Sequence, residues 1–426
     1  MDRIGKYEIR AQVGVGTTAT VYLAHDPFAD RDVAIKYIDP NILCDPRQGR
    51  LYRQILRSEA ALAGRLNHPH IARIYDAVIT EREAYVVMEY VAGGTLERFT
   101  SPDTLLPEER VIEIVFKCSR ALDYAFHQGI THRDIKPANI LMVSPDRQDI
   151  KLSDFGSAVF QSSDATQVSG VGSPAYMSPQ QIREVPLNHQ TDIYSLGVVM
   201  YQLLAGRLPF ESVNNYSLLY RIANEEAPPP SHFNPQIPPH LDSIVARAMR
   251  KELEHRYRTW TEFSHDLAQA FRNRSTVEAG DGLQVPERFE LLRGMPFFRE
   301  FSDVELWEVL RIAQWSTVHA DTYLMREGEP GDSFCFVASG EARVQKGEKL
   351  LGILTAGDCF GEMALFSAGS GTRGADVLAS TELELLTIRG HSLGRATEVC
   401  RMHFYKAFLE VLATRLALAN SRIANL

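Results

Sequence analysis

The octapeptide His132-Arg133-Asp134-Ile135-Lys136-Pro137-Ala138-Asn139 decides the fold, because its polar groups make chemical sense only as parts of one loop. An aspartate can accept a proton, a lysine two residues on can meet negative charge, and an asparagine five residues on offers a neutral oxygen. Twenty residues after Asp134 comes Asp154-Phe155-Gly156, which brings a second carboxylate. Asn139 and Asp154 together supply hard oxygen ligands of the kind Mg²⁺ takes. Either tripeptide alone would mean little. In this order and spacing they define one site.

Toward the N-terminus, residues 7–38 alternate short β-type runs with turns: YEIRAQV, a glycine-bearing loop, TVYLAH and DVAIKYI. Period-two patterning with β-branched residues predicts an antiparallel sheet. Gly14-Val15-Gly16-Thr17 opens the loop that runs to Val21. Its glycines let the backbone approach phosphates closely. Lys36 then stands in the apolar run Val33-Ala34-Ile35, a costly place for a cation unless it is paired. Glu59, in the helical stretch before LNHPHI, is the expected partner. A held polyphosphate, metal-binding oxygens and a proton acceptor are the requirements of phosphoryl transfer.

Toward the C-terminus the pattern becomes helical. Val111, Ile114, Val115, Cys118, Leu122 and Ala125 fall at helical spacing between Pro107 and His127, and a second apolar helix follows from Asp192 to Gly206. The stretch at 272–288, RNRSTVEAGDGLQVPER, is polar and aperiodic and reads as a linker.

These motifs resemble the eukaryotic-type protein kinases over residues 7–271, most closely the Ser/Thr kinases of bacteria. LNHPHI, VMEYVAGGTL, HRDIKPANIL, GSPAYMSPQQ and DIYSLGVVMYQLLAGRLPF carry the resemblance. It implies an α+β, two-lobe kinase fold, with a β-rich lobe over about 7–91 and an α-rich lobe over about 92–271. It implies ATP and Mg²⁺ as cofactors and a protein substrate. Asp134 becomes the catalytic base, Lys136 the mark of the Ser/Thr class near the γ-phosphate, and Asn139 and Asp154 the metal ligands. Lys36, paired with Glu59, is assigned to the α- and β-phosphates. Gly14, Val15, Gly16, Thr17, Val21, Ala34 and Leu141 surround the nucleotide. Met88 resembles the gatekeeper, with Glu89 to Val91 as the hinge along adenine.

The chain departs from that pattern in two places. Ala19 replaces the third loop glycine, and Ser178-Pro179-Gln180 replaces the Ala-Pro-Glu triplet, so the usual ion pair with Arg256 becomes a hydrogen bond to a neutral amide. Arg133 before the catalytic aspartate resembles kinases switched by activation-segment phosphorylation, since a phosphate brings roughly −1.5 to −2 charges that an arginine can meet. Thr166 and Ser169 are the candidate phosphosites, and Ser173 reads as structural. Ser157, directly after the Asp-Phe-Gly motif, favours a threonine acceptor by the same resemblance.

Residues 289–426 form a second domain, expected as a small β-roll with flanking helices. Its short strands are separated by the turns GEPGD, ASGEA, QKGEK and TAGD. Gly361-Glu362-Met363-Ala364 reads as one helical turn whose N–H groups could cradle an anion. Arg373 offers paired donors for a phosphate and Glu362 an acceptor for a ribose hydroxyl. With Gly374 after the arginine, the stretch resembles cyclic-nucleotide-binding domains, which implies cyclic AMP, or cyclic GMP, as a regulator. The interval from Glu362 to Arg373 is two residues longer than the usual cassette. Asp376 also stands close by, where a carboxylate about 4 Å from a phosphate costs on the order of 1–4 kcal/mol. The final helix, from about Met402, carries Phe404, Phe408, Val411, Leu412, Leu416 and Ala419 on one stripe and is a candidate homodimer element.

Composition narrows the class without naming it. The 426 residues are 45% hydrophobic and 23% charged, with net charge −9 and pI near 5.8, so no basic nucleic-acid footprint exists. Five scattered cysteines fit neither a disulfide framework nor a zinc site. The N-terminus carries no signal-peptide pattern, and the longest apolar-rich stretch, Ser195 to Leu204, is about half a membrane span. A cytoplasmic location without membrane contact is the expectation. Two other readings stay open: an active kinase whose β-roll is a docking or dimerisation module, and a largely silent nucleotide-binding scaffold.

Overall fold

Alternation of apolar side chains, one to each face, builds the first sheet and decides where Lys36 points. The computed structural model describes residues 2–16, 18–45, 48–62, 64–144, 149–155, 159–160, 174–275, 285–366 and 371–424. The chain divides into two compact units, Met1–Asn273 and Arg274–Leu426. In the first, β1 (Arg3–Ile4), β2 (Tyr7–Val15), β3 (Ala19–Asp26), β4 (Arg31–Ile38), β5 (Ile74–Ile79) and β6 (Ala84–Glu89) form an antiparallel sheet in the order β1-β2-β3-β4-β6-β5. Helices α1 (Pro40–Cys44) and α2 (Gln48–Ala60) connect β4 to β5.

Val33, Ile35, Tyr85 and Val87 join Ile4, Tyr7 and Ala24 in one apolar cluster. Ile38, Ala84 and Val86 pack instead with Leu43 and with Leu56 of α2. Lys36 falls on this second face, with Val86 as its register partner. Glu59 lies three residues beyond Leu56, so the surface of α2 that covers the sheet brings a carboxylate to the lysine.

The rest of this unit is mainly helical. It contains α3 (Glu108–His127), the short strands β7 (Ile130–Thr131), β8 (Ile140–Met142), β9 (Ile150–Leu152) and β10 (Val159–Phe160), then α4 (Pro179–Ile182), α5 (Gln190–Ala205), α6 (Asn215–Asn224), α7 (Pro239–Ala248) and α8 (Trp260–Ser275). Every residue of α5 is buried, which explains its nearly unbroken apolar run. It ends at Gly206, whose φ of 71° allows its N–H to reach the Gln202 carbonyl. Among the described residues no helix is long and apolar enough to cross a membrane.

The second unit begins with α9 (Val285–Gly294) and α10 (Asp303–Ile312). Two four-stranded sheets follow, built from β11 (Gln314–Val318), β12 (Tyr323–Met325), β13 (Ser333–Ser339), β14 (Ala342–Lys346), β15 (Lys349–Leu354), β16 (Cys359–Phe360), β17 (Asp376–Ala379) and β18 (Leu383–Arg389). Their orders are β11-β18-β13-β16 and β12-β17-β14-β15. The helical turn α11 (Met363–Phe366) lies between β16 and β17, and α12 (Gly390–Leu393) and α13 (Glu398–Ala424) end the chain. Cys335 and Val337 of β13 point into the core between the sheets. Phe334 and Phe336 point outward to Phe297, Phe298, Phe404 and Phe408, which fasten α13 to the roll.

Two sequence expectations need adjustment here. Helix α8 continues through Ser275 and α9 starts at Val285, so helical residues occupy both ends of the expected 272–288 linker. Helix α13 starts at Glu398, earlier than expected, and its apolar residues do not share one stripe. Cys400, Phe404 and Phe408 are buried, whereas Val399, Met402, Leu409 and Leu416 are exposed. A 27-residue helix that packs on one side through aromatic rings leaves its other apolar positions facing outward.

Candidate functional site

Lys36, Glu59 and Asp154 come from a strand, a helix and a loop and meet at one ammonium. Lys36 Nζ lies 2.5 Å from Asp154 Oδ1 and 3.6 Å from Glu59 Oε2. The expected lysine–glutamate pair is therefore present, with the Asp154 carboxylate as a second and nearer partner. Burial works against the lysine's charge, yet Asp154 and Glu59 hold its pKa above the ordinary range. Burial also opposes the Asp154 charge, and the Lys36 ammonium overrides it and holds that carboxyl below its usual value. Glu59 is pushed upward, because burial outweighs its more distant cation.

The loop that opened the sequence reading is tightly bonded. Lys136 Nζ sits 2.8 Å from Asp134 Oδ2. Asn139 donates its side-chain N–H to the Asp134 carbonyl at 2.8 Å and to Asp134 Oδ2 at 3.1 Å. Its amide oxygen is thus left as the atom suited to a metal ion. Arg133 and Asp154 both adopt the left-handed backbone, with φ of 68° and 62°. Such conformations persist only where neighbours dictate them. Asp192 of α5 accepts the N–H groups of His132 and Arg133, both at 2.7 Å. The His132 ring packs 4.4 Å from that of Phe155, itself buried, and this fixes the Asp154 segment against the loop.

Residues expected around a nucleotide line the neighbouring strands. Gly16 donates its N–H to the Ala19 carbonyl at 2.8 Å, and a Cβ there would crowd that oxygen at 3.3 Å. Val15 lies at the end of β2 and is exposed. Val21 pairs in register with Gly14 on one side and Lys36 on the other. Ala34 pairs with Met88. Glu89 follows at the end of β6, where its N–H donates to the Arg73 carbonyl and its carboxylate meets Lys151 at 3.0 Å. Val91 and Leu141 are half-buried. Thr17, Gly156, Ser157, Thr166, Ser169 and Ser173 lie outside the described residues.

Behind the loop, Gln180 Oε1 accepts from Arg256 Nη2 at 3.0 Å, and its Nε2 donates to the Lys251 carbonyl at 2.8 Å. Burial pushes Arg256 down to about 10 and Lys251 down to about 8. Among the described residues no carboxylate pairs directly with Arg256. The fully buried Arg133 Nε likewise has no hydrogen-bond partner among them.

In the second unit the candidate ligand groups already hold protein partners. Arg373 donates Nη1 to the carbonyls of Ser333 and Gly361, at 2.7 and 2.8 Å, and Nη2 to Ser333 Oγ at 3.0 Å. Gly331 and Gly361 make room for it, since a Cβ at either would run into the guanidinium. Glu362 is 1% exposed, and its Oε1 is paired at 2.6 Å with Arg415 of α13. Arg415 also donates to the Cys359 carbonyl. Glu362 Oε2 is buried without a hydrogen-bond partner. Met363 is exposed and Ala364 buried in the single turn of α11, and Gly374 has open space around it. Asp376 Oδ1 accepts the Glu327 N–H at 2.7 Å. Burial and the nearby Glu362 charge push the Cys359 thiol up to about 12, so it is not a nucleophile at neutral pH.

Sequence reasoning missed Arg415, Asp192 and Ser333. Asp192 opens the quoted DIYSLG motif, but nothing in the motif alone says that its carboxylate turns to the loop, and Arg415 and Ser333 carry no local signal.

Comparison with known proteins assigns both units. Residues 7–267 match the protein kinase domain and residues 315–398 the cyclic nucleotide-binding domain. The first match covers more than half of the chain, which therefore belongs to the protein kinase family. Similar proteins include serine/threonine-protein kinase PknB of Mycobacterium leprae, 37% identical over 62% of this chain and 42% of that protein. Serine/threonine-protein kinase PrkC of Bacillus subtilis is 35% identical over 70% of this chain and 45% of its own length. The chain thus spans less than half the length of these relatives.

Proposed function

We propose that this chain is an ATP- and Mg²⁺-dependent Ser/Thr protein kinase whose second unit reports a cyclic nucleotide to the first. The observation that carries the kinase reading is the Lys36–Asp154–Glu59 constellation beside Asp134, Lys136 and Asn139. Asn139 Oδ1 and the Asp154 carboxylate fit a divalent cation, which would neutralise charge on the transferring phosphoryl group. Lys36 holds the α- and β-phosphates, and the Gly14–Gly16 backbone lies along them. Asp134 takes the proton from a Ser or Thr hydroxyl, and Lys136 offsets negative charge beside it. Met88, Glu89 and Val91 line the adenine, with Val21, Ala34 and Leu141 above and below.

Two layers of regulation fit the same geometry. Arg133, with an unpartnered Nε, suits a phosphate on Thr166 or Ser169. Glu362 Oε2, buried and unpartnered, suits a ribose hydroxyl, with Arg373 for the cyclic phosphate and cyclic AMP favoured over cyclic GMP. The exposed apolar positions Met402, Leu409 and Leu416 on α13 fit pairing with a second copy of the chain. The domain division is 7–271 for the kinase and 289–426 for the sensor.

The test is phosphate incorporation from labelled ATP into the protein itself and into casein, with and without each cyclic nucleotide. Wild type is expected to label both, and Asp134→Asn to lose about 10²–10⁴-fold in rate. Equal labelling by wild type and Asp134→Asn refutes the kinase reading. An unchanged rate across all nucleotide concentrations refutes the sensor.

A further inference from the structure

We infer that Gln181 is a positioning residue for phosphoryl transfer, clamping the peptide that carries the catalytic aspartate; this rests on the kinase reading above. The peptide unit between Arg133 and Asp134 follows a residue in the left-handed region, φ 68°. That conformation disfavours a non-glycine residue by roughly 1–2 kcal/mol and must be imposed from outside. Its two polar ends are both held. The Asp134 N–H donates to His132 Nδ1 at 3.3 Å, and the Arg133 carbonyl accepts from Gln181 Nε2 at 2.9 Å. With the Arg133 N–H fixed on Asp192, the N–H and the carbonyl of the left-handed residue both have partners. The orientation of this peptide sets where the Asp134 side chain projects.

Gln181 is itself fixed by its own helix. Ser178 caps α4, accepting the Gln181 N–H at 3.3 Å, and Gln181 Oε1 accepts the Ser178 N–H at 2.9 Å. With Oε1 spent on that donor, the other end of the amide must present N–H, and it presents it to Arg133. A neutral amide is the side chain that can accept at one end and donate at the other in a rigid fork. Glutamate would keep the cap and set an oxygen against the Arg133 carbonyl. Methionine would keep the length and lose both bonds. The neighbouring Gln180 faces the opposite way, to Arg256 and Lys251, so α4 is anchored independently of the clamp. The segment that begins at Asp154 is thereby bonded, at its far end, to the loop bearing Asp134.

The decisive experiment compares Gln181→Glu, Gln181→Met and Ser178→Ala in the full chain. Two readouts are used: casein phosphorylation, and hydrogen exchange of the peptide spanning 130–139. Both Gln181 variants are expected to lose about 10–100-fold in kcat, the cost of a misplaced catalytic group, with KM for ATP unchanged. Exchange at Arg133 and Asp134 is expected to speed up in both. Ser178→Ala, which removes the cap hydroxyl and spares the clamp, is expected to lower thermal stability while retaining kcat. Full kcat and unchanged exchange in Gln181→Glu would overturn the inference, as would an equal kcat loss in Ser178→Ala. Wild-type inactivity would instead sink the kinase reading, and exchange would still decide the clamp.

Discussion

Arg415 and Glu362, 53 residues apart in the chain, form an ion pair of 2.6 Å that joins the last helix to the candidate ligand turn of the β-roll. The carboxylate is buried and the Arg415 side chain 38% exposed, so the interior of α13 supplies the counter-charge for a group water barely reaches. A ligand hydroxyl seeking Glu362 would share that carboxylate with Arg415, and the proposed occupancy of the turn would then be linked to the position of α13.

Removing the cation tests that linkage. Arg415→Ala leaves Glu362 buried without its partner and is expected to destabilise the second unit by on the order of 1–3 kcal/mol, reduced from a fully buried pair because water screens Arg415. Adding Glu362→Gln to the variant should recover most of the loss, since an amide needs no counter-charge. Thermal denaturation of the single and double variants measures both; no recovery would place the loss in packing.

Gln180→Glu would put a carboxylate against the buried Arg256. The new charge-assisted bond is expected to stabilise the kinase unit by about 1–2 kcal/mol despite losing the donor to the Lys251 carbonyl. Urea midpoints of the two proteins decide it, and a lower midpoint for the variant would contradict it.

Lys251 makes stability depend on pH in a stated direction. Burial lowers it to about 8 from its ordinary 10.5, Glu226 opposing and Arg256 reinforcing the shift. Between those values the unfolded chain holds more protons than the native one, so this lysine's contribution to stability rises with pH across the window. Below about 8 it is charged in both states and its burial weakens the fold. Urea midpoints measured from pH 7 to pH 10 should climb more steeply in wild type than in Lys251→Met.

Gly331 is irreplaceable for a spatial reason rather than a conformational one. A methyl group there meets Nε and Cζ of Arg373, so Gly331→Ala is expected to dislodge the guanidinium from Ser333 and Gly361. A loss of about 1–3 kcal/mol should follow, in the range for overpacking. Calorimetric titration with cyclic AMP should show weakened binding, and unchanged binding and stability would contradict the bracket.

The kinase half was legible because its chemistry is written in contiguous motifs. HRDIKPAN places Asp134, Lys136 and Asn139 within one loop, and alternation along DVAIKYI alone puts Lys36 on the face that α2 covers. The second unit was less legible. Glu362 and Arg373 could be named, yet their partners Arg415 and Ser333 lie 53 and 40 residues away, and no local pattern ties them to the site. The apolar stripe of α13 was misjudged because a helical pattern gives the period, and packing decides which of two apolar faces is covered. Asp376, three residues after Arg373, accepts the Glu327 N–H, a partner 49 residues away that no motif announces.

Asp192 holds two successive amides of the loop bearing Asp134 from the first turn of a helix with no exposed residue. The loop therefore shares the stability of the most protected part of its lobe. Heat that melts α5 would release His132 and Arg133 from Asp192 in the same step, so activity is not expected to outlast that helix. Residual activity after heating would count folded molecules rather than grade their softness.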